Sequence, residues 1–252
     1  MINPMDMTNR TILVTGASSG IGREISVLLS QLGARLILVG RNSSALDKTL
    51  SMLEGKGHFS EAYDLAADID DIPRWMKIIT QKSGLLHGLV HSAGMQFTRP
   101  LRITTGESMD ELMRINATAA LCLAKGFRQK GVSSGGSIVY LTSVMGLVGQ
   151  TGQVVYSASK GALVALSKSL ALEMAREGVR VNCVAPAVVK SEMSDKMFSS
   201  LSPENVAQIE TMHPLGIGTP RDVAYSIAFL LAETGRWITG STLVVDGGYT
   251  AH

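Results

Sequence analysis

The chain has 252 residues, 45% of them hydrophobic and 17% charged, with a formal net charge of +2. That length suits one large domain with a sizeable core, and the near-neutral balance gives no argument for nucleic acid as a partner. The start, Met1 to Thr11, holds Asp6 and no long apolar run, and no stretch approaches the roughly 18 apolar residues that cross a bilayer, so a soluble, cytoplasmic protein without membrane contact is expected.

Cys122 and Cys183 each lie in an apolar run and read as core residues in a reducing compartment, with no disulfide or metal site expected. In chain order, Thr11–Thr15 is a short β-rich run broken by the glycines between 16 and 22. A helix follows over 21–32, and a second strand over 35–39. Ser43 or Ser44 is expected to cap the next helix, which carries Leu46, Leu50 and Leu53 at helical spacing. A weaker strand over 60–65, a helix over 72–83 and a strand over 85–90 come next. One long helix is expected over 106–126, a strand over 137–142, a long helix over 156–177 and a strand over 179–184. After a longer irregular stretch, a helix over 220–232 and a strand over 241–245 close the chain. The strands are continuous apolar runs, as in a parallel sheet covered on both faces. The alternation predicts a single doubly wound (Rossmann) α/β domain over 1–252, with about seven parallel strands and helices on both faces.

Three stretches carry chemistry. Tyr156 and Lys160 stand four apart, on one helical face, where an ammonium can stabilise a phenolate; alone, the pair more simply fits a partly buried Tyr beside a snorkelling Lys. Gly16-Ala-Ser-Ser-Gly20-Ile-Gly22 joins the first strand to the first helix, where glycines let a phosphate approach the backbone at a helix N-terminus. The second strand ends Val39-Gly40-Arg41-Asn42, without the carboxylate that commonly binds an adenosine ribose. Arg41 there suits a ribose 2′-phosphate, the alternative being a solvated loop residue.

Together these motifs resemble the short-chain dehydrogenase/reductase family, over nearly the whole chain from Thr11 to Tyr249. The resemblance implies a catalytic set of Asn116, Ser143, Tyr156 and Lys160. In that set Ser143 polarises a carbonyl, Tyr156 exchanges its proton, Lys160 lowers the pKa of Tyr156 and binds the nicotinamide ribose, and Asn116 holds a water leading from Lys160 to solvent. It implies NADPH/NADP+ as cofactor, held by Gly16, Ser18, Ser19, Gly20, Ile21, Gly22, Arg41 and Asn42. Asp64 and Leu65 are implied at the adenine, and Ser92, Ala93 and Gly94 in the segment that resembles the family's Asn-Asn-Ala-Gly. Tyr156, Lys160, Pro186, Val189 and Ser191 are implied toward the nicotinamide. Three positions depart from the family pattern: His91, expected to pack with hydrogen bonds rather than catalyse; Ala187 where glycine is usual; and Ser191 where threonine is usual.

The C-terminal segment, His213 to Pro220 and then Ile238 to Gly248, resembles bacterial 3-oxoacyl-acyl-carrier-protein reductases and their close relatives. This implies a small carbonyl or acyl-thioester substrate, fatty-acid biosynthesis and a homotetramer built on the two long helices. Acyl carrier protein as a partner is weakened by Gln129 and Leu172 at positions where those reductases carry arginine, with Arg128, Lys130 and Arg176 near enough to substitute. The segment 191–215 falls where the family has a substrate lid. Met193, Met197, Phe198, Leu201 and Met212 make it apolar, which suits an acyl chain or ketone, or simply packs the lid down. The alternatives are a sugar, polyol or other secondary-alcohol dehydrogenase and, because some relatives keep only the fold, a non-catalytic dinucleotide-binding protein.

Overall fold

A computed structural model describes residues 3–251 except 192, 193, 196, 197 and 200. Seven parallel strands form one sheet in the order β3-β2-β1-β4-β5-β6-β7. They are β1 (Thr11–Thr15), β2 (Arg35–Gly40), β3 (Phe59–Ala62), β4 (Leu86–His91), β5 (Ser133–Leu141), β6 (Val179–Pro186) and β7 (Thr242–Val245). The α-helices are α1 (Gly20–Gln31), α2 (Ser43–Leu50), α3 (Ile72–Ser83), α4 (Gly106–Met113), α5 (Ala119–Phe127), α6 (Val154–Met174), α7 (Pro203–Thr211) and α8 (Pro220–Leu231).

The apolar runs are explained by burial on both faces. Ile12, Val14, Leu36 and Leu38 enter one core with α1 and α8, while Leu13, Ile37 and Val39 enter the other with α3, α5 and α6. Cys122 and Cys183 are both buried. None of the helices among the described residues is long and apolar enough to cross a membrane.

Four local expectations need correction. Asn42, not Ser43 or Ser44, caps α2: its carboxamide oxygen accepts from Ala45 N–H at 3.0 Å, satisfying a donor that the first turn leaves open. β3 stops at Ala62, because Tyr63 N–H still reaches Gly40 C=O and the Asp64 carboxylate then accepts from Ala66 N–H, turning the chain out of the sheet. The expected helix over 106–126 is interrupted by a π turn, Arg114–Thr118, between α4 and α5. The irregular stretch before 220 contains α7, capped by Ser202, whose hydroxyl accepts from Asn205 N–H.

Chain order reverses between β1 and β4, which pair in register from Ile12↔Gly88 to Thr15↔His91. Loops leaving the carboxyl ends of these two strands diverge there, and the crevice between them is where an open α/β sheet takes its ligand.

Candidate active site

The glycine turn closes on that crevice as tightly as a backbone can. A Cβ on Gly16 would lie 2.6 Å from Ala93 N, and one on Gly22 would lie 2.2 Å from Gly16 O. α1 then starts after Ser19, with no side-chain cap and no acidic residue in its first turn, so its open N–H groups meet no anion from the protein itself. Beside the turn lies a cleft of about 450 Å3 lined by Ser18, Ser19, Arg23, Asn42, Ser44, Ala45 and Lys48. A cradle of backbone donors beside a cation-bearing cleft fits a dinucleotide. Arg41 is exposed and does not line this cleft. Arg23 and Lys48 do, although Arg23 already donates to Thr49 Oγ1 and the Ser18 carbonyl. Leu65 is buried in the core and Asp64 is exposed just beyond β3.

Ser92, Ala93 and Gly94 leave β4 next to the glycine turn. His91 beneath them is buried, and its proton positions follow from its neighbours. The Ile115 carbonyl can only accept, so Nε2 carries hydrogen and donates to it at 3.3 Å. Nδ1 then accepts from Thr15 Oγ1 at 2.9 Å, and Thr15 Oγ1 in turn accepts from Ala93 N–H at 3.2 Å. Burial, reinforced by the Lys160 charge, pushes His91 down to about 4. It is neutral at physiological pH and bonded on both sides, which is a packing role.

The π turn delivers Asn116. Its side-chain oxygen accepts from Met95 N–H at 2.9 Å, while its nitrogen donates to Met95 C=O at 3.0 Å and to Ser159 Oγ at 2.9 Å. Ser159 donates to the Tyr156 carbonyl at 2.8 Å, so Asn116 ties the loop after β4 to α6. A widened turn at a functional side chain is a common use of π geometry.

Ser143, Tyr156 and Lys160 come together at the carboxyl end of β5. Ser143 Oγ accepts from Met145 N–H at 3.2 Å and donates to Pro186 C=O at 3.4 Å. Lys160 is buried; its Nζ donates to Leu141 C=O at 2.8 Å and stands 5.7 Å from the Tyr156 ring centroid. The Lys160 backbone is fixed as well. Its carbonyl accepts from Thr142 Oγ1 at 2.8 Å, and a Cβ on Gly146 would fall 2.8 Å from its carbonyl carbon. Thr142 and Gly146 are thus positioning residues that sequence reasoning passed over. Only their nearness to Ser143 could have signalled them.

The expectation that Lys160 lowers the pKa of Tyr156 is not met within the protein. Burial pushes the phenol up to about 12 against a lowering bond from Ser143, and pushes Lys160 down to about 8. The amine lies against the ring face and bonds a carbonyl, so it does not offset the loss of solvent around the hydroxyl.

Pro186 and Val189 flank a loop held on both sides, Val188 C=O accepting from Gly218 N–H at 3.3 Å and Lys190 N–H donating to Gly218 C=O at 2.9 Å. The Ser191 hydroxyl accepts from Ser194 N–H at 3.2 Å, a local turn. Met193 and Met197 lie outside the described residues; Phe198, Leu201 and Met212 are half-buried. Arg128, expected to help meet an acidic partner, is instead paired at 2.7 Å with both Glu173 and Glu177, so its charge is already answered. Among the described residues no group of three or more His, Cys, Asp or Glu is placed to hold a metal ion.

Residues 16–250 match a family model described as Enoyl-(Acyl carrier protein) reductase. The chain is 36% identical to the carbonyl reductase family member 4 of Danio rerio, covering 95% of this chain and 98% of the relative. It is also 36% identical to the 3-oxoacyl-[acyl-carrier-protein] reductase of Rickettsia prowazekii, covering 97% and 98%. Among solved structures, a putative 2-deoxy-D-gluconate 3-dehydrogenase from Agrobacterium tumefaciens with bound NADP superposes with a TM-score of 0.89 at 27% identity, over 100% of both chains. The chain belongs to the short-chain dehydrogenase/reductase family. It is an oxidoreductase of the kind that acts on an alcohol or carbonyl carbon of a small molecule, with a nicotinamide dinucleotide.

Proposed function

We propose that the protein is an NADPH-dependent reductase that converts a ketone to a secondary alcohol, its substrate a 3-oxoacyl thioester or a related β-keto compound. The observation that carries this reading is the convergence of Ser143, Tyr156 and Lys160, with Ser143 and Lys160 held by backbone partners and both set beside Tyr156. Support for the substrate class comes from the 3-oxoacyl reductase among the relatives. Support for NADPH comes from the missing carboxylate at the end of β2, from Arg23 and Lys48 in the cleft, and from the NADP-bound neighbour.

The dinucleotide supplies the hydride when bound. Gly16, Gly20, Gly22, Ser18 and Ser19 would hold its phosphates, and Pro186 and Val189 would lie against the nicotinamide. The protein's own part is positioning and proton transfer. Ser143 Oγ orients the carbonyl oxygen. Tyr156 donates the proton; its high pKa keeps it protonated at neutral pH, as a donor must be. Lys160, still protonated at neutral pH, would hold the nicotinamide ribose.

With Arg128 paired to Glu173 and Glu177, the basic side chains left exposed on that face include Lys130 and Arg176, so an acidic carrier protein is expected to contribute little and the free thioester to serve as substrate. Exposed Leu121 and Leu172 on α5 and α6 support assembly as a homotetramer through those helices.

The test is a steady-state assay with NADPH and with NADH on acetoacetyl-CoA, a carrier-linked 3-oxoacyl substrate, and a sugar or polyol. NADPH should be preferred, with kcat/KM for acetoacetyl-CoA within about tenfold, or ~1.4 kcal/mol, of the carrier-linked value. Tyr156→Phe should lower turnover by ~10²–10⁴-fold while dinucleotide binding survives. Activity on a sugar or polyol and on no 3-oxo compound would replace the substrate reading, and near-normal turnover in Tyr156→Phe would remove the proton donor.

A further inference from the structure

From residue 195 to residue 212 no described residue is buried, and α7 within that span contributes no side chain to the core. The chain is fastened at either end of the span, by Ser194 and by His213, which are 6% and 3% exposed. Ser194 is used locally, in its turn with Ser191. His213 reaches further.

Its Nδ1 lies 2.7 Å from the Ile209 carbonyl, inside α7. A carbonyl can only accept, so Nδ1 carries the hydrogen and Nε2 presents a lone pair. The Val188 N–H donates to that lone pair at 3.4 Å, a long bond but correctly matched. The ring is packed against Tyr249 with centroids 5.0 Å apart, which fixes its plane. One imidazole thus joins the last turn of α7, the loop after β6 and the C-terminal turn. Backbone bonds already hold Val188 on its carbonyl side, through Gly218. His213 is what holds its N–H side.

We propose that His213 is a positioning residue: by accepting the Val188 N–H while donating to Ile209, it sets the backbone of the Pro186–Val189 loop against the nicotinamide end of the dinucleotide and registers α7 to that loop. The inference rests on the placement of that loop at the nicotinamide under the proposed function. It requires no contact between His213 and cofactor or substrate.

Two conservative replacements divide the two bonds. A shorter asparagine puts its amide near the site of Nδ1, so His213→Asn keeps the bond to Ile209 and loses Val188. The longer glutamine puts its oxygen near the site of Nε2, so His213→Gln keeps the acceptor for Val188. The measurement is equilibrium binding of NADPH and of 2′,5′-ADP, which carries the adenosine half alone, with kcat and KM taken alongside. His213→Asn is expected to weaken NADPH by about three- to tenfold, the loss of one hydrogen bond, with 2′,5′-ADP unchanged and kcat lowered. His213→Gln is expected to restore NADPH binding close to wild type. Equal weakening of NADPH and 2′,5′-ADP in His213→Asn would show a general structural role and overturn the proposal. So would wild-type NADPH binding in His213→Asn, or identical losses in both variants. Those outcomes leave the assigned reaction standing. A wild-type protein that binds neither ligand would instead overturn the dinucleotide assignment, and the role of His213 with it.

Discussion

The region around Tyr156 and the segment that follows Ser191 are built by opposite rules. Around Tyr156, Lys160 is held at its amine by Leu141, at its carbonyl by Thr142 and along its backbone by Gly146, and Asn116 uses both side-chain polar atoms. From 195 to 212 no described residue is buried, and His213 carries the attachment. Proton transfer tolerates little error in position, so the side chains that carry it need several anchors. Anchoring is accordingly concentrated around the proposed proton donor and sparse along the described residues of 195–212.

The contrast can be broken most forcefully at His91. The unfolded chain takes up a proton there near 6.5 and the folded chain only near about 4, so between these values the unfolded state binds more protons. The stability associated with neutral His91 is full above 6.5 and drains as the pH falls toward 4, by at most about 3 kcal/mol. His91→Asn cannot titrate, so its urea midpoint should fall less across that window than wild type's; parallel curves would remove His91 as the acid-sensitive point.

Gly146→Ala should come next. Its Cβ would press on the Lys160 backbone, which has no flexible side chain to yield, costing about 1–3 kcal/mol and lowering kcat. Unchanged kcat and melting temperature together would mean that the close approach does not set Lys160.

The smallest effect is expected on α7. Val206→Ala, at a half-buried position of the mostly exposed α7, should cost less than about 1 kcal/mol, against about 2–5 for truncating a large buried aliphatic side chain, and should shift substrate KM rather than kcat. A loss as large as in the core would erase the distinction between the two regions.

Much of this was readable in the residues. β1 was placed to the residue, because Thr11–Thr15 is apolar on both faces and stops at a glycine; α3 was placed to the residue because its buried stripe is regular. Ser143, Tyr156 and Lys160 are legible through the family resemblance of the motifs that hold them, and the structure brings them together. The π turn was not visible, since Arg114-Ile-Asn-Ala-Thr118 differs in no obvious way from ordinary helix and the widening comes from what Asn116 bonds across the fold. α7 was missed for the opposite reason: without buried residues it has no strong apolar period to read. The phenol's high pKa was missed because spacing gives proximity to Lys160 but not depth, and depth is what raises it. Arg128 was misjudged because its acidic partners, Glu173 and Glu177, are 45 and 49 residues away.

The strand order has a consequence for synthesis. β1 is made first and sits near the middle of the sheet, with β2 on one side and β4 on the other. β2 follows directly, but the β4 partner of Thr15 is His91, 76 residues later. At the usual ~5–20 residues per second on the ribosome, the emerging chain carries an apolar strand with one side unpaired for ~4–15 s. Until β4 arrives, the strand that bears the glycine turn is an open edge, and neither Ser143 nor Tyr156 has yet been made.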